Sequence, residues 1–246
     1  MRHTTSLFLG ALFLLPTASA RAGDADNPER ERISKTFNVA SGSRIEVSTI
    51  AGPVEIDTTG GRRVEVEVVR SAPTRADLDC GRVDIEQTPT TLTIRSEANC
   101  NVVRGAQHVT LRVPRDVDLS LRNIAGDVRV GPTDGMVRLD SIAGRVEAAG
   151  LREAKISSLA GGLELTVSGV GARGITVSSV TGGIDLGVDA SVDAELVTRS
   201  VVGRIQNEVP GVRLTEDDGS NQRAVLGSGR GKIRIDSVVG TVRIHG

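Results

Sequence analysis

The stretch that decides the fold is "LDSIAGRVEA", residues 139–148. Apolar and polar residues alternate on both sides of its glycine, but out of step: Val137 and Leu139 are odd-numbered, whereas Val146 is even-numbered. Successive residues of a strand face opposite sides, so one flat strand cannot bury both sets. The chain must turn or bulge between Leu139 and Val146. Gly144 suits that corner because a residue without a Cβ adopts conformations that others avoid.

The same pattern recurs outward from this point: "NIAGDV" at 123–128, "SLAGGL" at 158–163, "SVTGGI" at 179–184, "SVVGRI" at 200–205 and "SVVGTV" at 237–242, with a relative, "TIAGPV", at 49–54. Gly126, Gly144, Gly161, Gly182, Gly203 and Gly240 are separated by 18, 17, 21, 21 and 37 residues. Periods near 20 with strand-like alternation predict a solenoid, in which each repeat is one coil. The last interval is two periods, or one coil with an excursion through "TEDDGSNQ" at 215–222. Stacked coils place equivalent residues in columns about 4.8 Å apart. Asn123, Ser141, Ser158, Ser179, Ser200 and Ser237 form the column before each corner, where short side chains can bond to nearby backbone. Serine and glycine here are read as a structural corner, not as a catalytic pair.

Alternation of period two also runs through "RIEVS" at 44–48, "RRVEVEVVR" at 62–70, "RVDIEQ" at 82–87, "TLTIR" at 91–95 and "HVTLRVP" at 108–114. These read as strands with one buried face. "TRADL" at 74–78 supports one helical turn at most. The fold class is therefore all-β, with irregular N-terminal strands over 35–120 and regular coils over 121–246.

Residues 1–22 read as a signal peptide: Arg2 and His3, an apolar run from Leu7 to Leu15, then small residues around Ala20 and Ala22. Residues 23–34 read as a flexible leader. No later run is apolar and long enough for a membrane span of about 20 residues, so the mature chain has no transmembrane anchor and is expected in the periplasm or outside the cell. In such an oxidising compartment Cys80 and Cys100 can form one disulfide; two free thiols are the alternative.

Composition excludes some partners. The formal net charge is −1, and the chain has no Trp or Tyr; Phe37 is the one aromatic after the leader. Nucleic acid is not an expected partner, since stacking on bases needs rings and phosphate contacts need a basic surface. No cofactor is expected.

The order of motifs then resembles a known group. "KTFNV", an early "IAGPVEI", a middle "VTLRVPRDVDLSLRNIAGDVRV", several SxxGxI coils and a late "GSGRGKIRIDSVVGTVRI" resemble the bacterial putative-adhesin family over residues 35–246. The resemblance implies a right-handed, mostly parallel β-solenoid in an exported or envelope-associated protein. It implies a partner on the envelope or cell surface and transfers no binding residues.

Catalytic chemistry finds little support. His3, His108 and His245 lack partners that spacing can place. "GSGRGK" at 227–232 is followed by Ile233 and Arg234, not by the Ser/Thr and helix of a phosphate-binding loop. The leading expectation is a non-catalytic binding or structural solenoid. The alternative is a polysaccharide lyase or hydrolase, which would require acids to converge with Lys or Arg in a groove. Column arithmetic pairs Arg122 with Asp140, Asp127 with Arg145, and Arg129 with Glu147. Continued outward, the last column runs Arg129, Glu147, Glu164, Asp185, Gln206 and Arg243. Glu147, Glu164 and Asp185 are thus a candidate acidic stripe, either solvated or a weak Ca²⁺ or basic-partner site, with Arg152 expected nearby.

Overall fold

The computed structural model describes residues 28–100, 104–210 and 212–246; the expected signal peptide, residues 1–22, lies outside them. The chain opens with β1 (Glu29–Asn38), β2 (Arg44–Ala51), β3 (Val54–Thr59) and β4 (Arg63–Ala72), then one helical turn, α1 (Arg75–Asp79). β5 (Gly81–Gln87), β6 (Thr91–Ala98) and β7 (Ala106–Pro114) come next. The repeats supply β8 (Asp118–Ala125), β9 (Val128–Val130), β10 (Met136–Ala143), β11 (Val146–Leu151), β12 (Glu153–Ala160), β13 (Leu163–Val167), β14 (Ile175–Thr181) and β15 (Ile184–Val188). Then come β16 (Ala194–Asn207), the pair β17 (Arg213–Asp217) and β18 (Gln222–Leu226), and β19 (Gly231–His245).

All these strands hydrogen-bond into one mixed sheet with two parallel ladders. The first ladder runs β6, β2, β8, β10, β12, β14, β19, β16. The second runs β7, β3, β9, β11, β13, β15, β19, β16. β16 and β19 are long enough to pass through both. Both ends depart from the expected parallel pairing. β5 closes on β6, and β1 closes on β4, which closes on β7, all antiparallel; at the other end β18 closes on β16, and β17 on β18, in the same way.

Three further expectations are corrected. β1 already begins at Glu29, so the leader expected over 23–34 is strand from that residue on. Its "ERERISK" is held against β4, with Arg32 Nη2 3.1 Å from Glu67 and Arg70 Nη1 2.5 Å from Glu31. Residue 120 marks no edge of the coil stack, because β2–β3 lies directly against β8–β9. The coils also do not stack in chain order: β19 lies between the β14–β15 coil and β16, so Gly240 neighbours Gly182 and Gly203 comes last.

Inward columns form the core. Leu121, Leu139, Ile156, Val177 and Ile235 are successive neighbours in the first ladder and are at most 1% exposed. Val54, Val128, Val146, Leu163, Ile184 and Val242 form the matching buried column of the second. Burying each such side chain contributes about 1.5–3 kcal/mol.

The corner separates into two devices. Asn123, Ser141 and Ser158 adopt φ of 54–57°, as Thr49 does at 59°, and the ladder register skips each of them. The phase change between Leu139 and Ile142 therefore sits at Ser141, where one left-handed residue, matched in register by Asn123 and Ser158, turns the strand over without shifting the ladder. Side-chain bonding is secondary there: Ser141 Oγ donates to Asp140 at 3.3 Å. Ser179, Ser200 and Ser237 stand at the same step of their strands, with side chains outside what the structure describes. The glycine does something else. Its N–H bonds across to the next coil, Gly126 to Ala143 O at 2.9 Å and Gly182 to Val239 O at 2.9 Å. A Cβ on Gly144 would collide with the carbonyl of Gly126, one on Gly161 with that of Gly144, and one on Gly240 with that of Gly182. The glycines form a column because neighbouring backbones touch at the corner.

Candidate functional site

The outward column of the second ladder is set by alternation: with Val146, Leu163 and Ile184 inside, Glu147, Glu164 and Asp185 must face out. The three acids are direct neighbours in register. The intercalated β19 alters the column beyond them. Asp185 faces Arg243, and Gln206 comes only after Arg243. An arginine thus closes each end of the stripe. Arg129 Nη2 is 3.1 Å from Glu147, and Nη1 of the same guanidinium is 3.8 Å from Glu55. The hydrogen bond that Arg129 Nε donates to Glu147 at 3.1 Å holds the guanidinium above its ordinary range. His245 Nε2 lies 2.9 Å from Asp185. Glu164, in the middle, has no ion pair among the described residues.

Beside the stripe is a shallow hollow of about 290 Å³, lined by Arg145, Leu163, Glu164, Asp185, Thr241 and Arg243 among others. The acids stand in line and do not converge. No group of three or more His, Cys, Asp or Glu among the described residues is placed to hold a metal ion. Coil counting placed Arg243 in this column but after Gln206, and paired Arg145 with Asp127; what it missed is that Arg243 directly follows Asp185 and that Arg145 lines the hollow with it.

The other singled-out residues are dispersed. Arg122 faces Asp140 in register, and its guanidinium lies 4.0 Å from Glu46. Asp127 accepts the Arg145 backbone N–H at 2.8 Å. Cys80 and Cys100 are joined by a disulfide, with Cα atoms 5.5 Å apart, which pins the end of α1 to the segment after β6. His108 lies 3.7 Å from Glu55 on the exposed side of β7. Arg152 leaves the stripe: it projects over Gly169 on the return side of the coils. The segment 227–232 is a turn that wraps Asp193. Ser228 Oγ donates to Asp193 Oδ2 at 2.7 Å and Arg230 Nε at 2.6 Å, and the Gly229 N–H reaches Oδ1 at 2.6 Å. Chiefly the Ser228 hydroxyl, then Arg230, hold the Asp193 carboxyl far below the usual carboxylate range.

No protein-family model matches the chain, and the comparison with curated proteins finds no match. Solved structures do. A chain described as a "putative cell adhesion protein" from Clostridium sporogenes is 11% identical, with a TM-score of 0.50 over 89% of this chain and 99% of its own. A "putative adhesin" from Bacteroides fragilis is 13% identical, with a TM-score of 0.41 over 88% and 98%. A "putative lipid binding protein" from Parabacteroides distasonis is 13% identical, with a TM-score of 0.32 over 87% and 96%. At 11% identity the Clostridium sporogenes structure shows that the two proteins share a fold, and that alone.

Proposed function

We propose that the protein is a non-catalytic, exported binding module of the bacterial envelope, with residues 1–22 removed as a signal peptide. No helix among the described residues is long and apolar enough to cross a membrane. One observation carries the reading: coils stacked in register hold two outward faces on an aliphatic core, so charged side chains repeat at fixed spacing along a rigid surface. Such a surface suits an extended, repeating partner. We also infer a right-handed solenoid, since parallel crossover connections are right-handed in about 98% of cases. The test is co-sedimentation of purified mature protein with isolated bacterial envelopes. Salt-sensitive binding without glycan cleavage supports the reading; protein left wholly in the supernatant overturns it.

The enzymatic reading has one observation in its favour, the adjacent carboxylates of Glu164 and Asp185 beside Arg145 and Arg243 in one hollow. Asp185 keeps 45% of its side chain exposed and Glu164 is exposed, and the hollow beside them is shallow and open rather than the enclosed apolar pocket of a glycosidase acid. Release of reducing ends from acidic polysaccharide, abolished in Glu164→Gln, would establish the enzyme instead.

A further inference from the structure

A second recess, of about 610 Å³, opens on the return side of the coils, where the chain passes from the second ladder back to the first. Loop 168–174, Arg152, Ser191, Asp193 and residues 230–232 line it. Four cations line it: Arg152, Arg173, Arg230 and Lys232. Two are already engaged. Arg173 is fixed by Glu153 and lies 3.5 Å from Asp118, and Arg230 Nε is 2.6 Å from Asp193. Asp193, the one lining carboxylate, is saturated by its own turn. Arg152 and Lys232 make no ion pair among the described residues. The backbone N–H groups of Gly169, Val170 and Ala172 likewise have no partner among them. In a chain of net charge −1 this is a local surplus of unspent positive donors.

We propose that this recess binds an acidic saccharide, its carboxylate or phosphate on Arg152 and Lys232. The size argues for a sugar rather than a bare anion, since small-molecule sites run from about 300 to 1,000 Å³. The Ser168 and Ser191 hydroxyls donate to Gly150 O and to Asp189, which leaves their oxygens free to accept from sugar hydroxyls. Val170 and Ala172 are the only alkyl side chains at the wall, too little to seat an acyl chain. Without aromatic rings to stack on, binding is weak and mainly electrostatic, and so falls with salt.

The site deepens the binding-module reading and rests on it for its context. The experiment titrates purified protein by calorimetry with trigalacturonate, an uncharged trisaccharide, inorganic phosphate, and vesicles of phosphatidylglycerol. The same titrations use Arg152→Ala/Lys232→Ala, with thermal melts to confirm folding and Lys232→Ala alone as the milder variant. Expected is binding of trigalacturonate but not of the uncharged sugar, weakened about tenfold or more in the double variant at unchanged Tm. Phosphate binding as tight as the sugar acid, vesicle binding lost in the double variant, or sugar binding unaffected by it overturns the proposal. Envelope co-sedimentation that survives the double variant sinks this site and leaves the binding module standing.

Discussion

At the scale of the residue, the corner divides its demands between neighbours. Thr49, Asn123, Ser141 and Ser158 share a left-handed backbone, yet only Thr49 is β-branched, a residue type that conformation disfavours. Thr49→Asn is expected to stabilise by about 1 kcal/mol, read as a higher denaturation midpoint at unchanged slope. Gly144→Ala should do the reverse: φ is 154° and the new Cβ meets the Gly126 carbonyl, so a loss of about 3 kcal/mol or more is expected in the same assay. Asp193 sets a pH limit. Its folded pKa is depressed by Ser228 and Arg230, so its contribution is present above the unfolded value near 4 and is lost as pH falls below that. Asp193→Asn should therefore flatten the fall in Tm on the acid side while lowering Tm at neutral pH.

At the scale of the element, Arg70 is a junction. It is 8% exposed, pairs with Glu31 of β1, and donates to the carbonyls of Leu78 in α1 and Gly81 at the start of β5. Arg70→Met keeps the stem and abandons two buried carbonyls and a carboxylate. A loss of about 2–3 kcal/mol is expected by chemical denaturation. None of this was legible in "RRVEVEVVR", where Arg70 reads as an ordinary strand-end charge. Periodicity made other features legible: strands, corners, outward charges and the adjacency of Glu147, Glu164 and Asp185. The phase change was visible too, but was given to Gly144 because glycine is the obvious backbone exception; the ladder gives it to Ser141. The basic recess escaped because Arg152, Arg173 and Arg230 come from three connections, which carry no period to count, and Lys232 from the very start of β19.

At the scale of the whole molecule, the decisive fact is position. β19 pairs in parallel with β14 and β15 on one side and with β16 on the other, through both ladders. A chain cut after Ser228 lacks this coil and should lose cooperative unfolding, with a peptide of residues 229–246 added in trans restoring it; native-like melting of the cut chain alone would contradict this. The arrangement also bears on time. Coils that stacked as they were made would close one after another as the chain emerged from the ribosome. Here the orderly succession halts at Val188. β16 appears while the edge of β14 is still open, and it carries a compatible pattern of Leu196, Thr198 and Val201, yet its proper place is one coil further on. The neighbour it needs, β19, is synthesised only after β17 and β18. Until β19 is made, the parallel edge of β16 has only a wrong partner within reach, so the stack stays open at β14 and β15 until β19 is delivered.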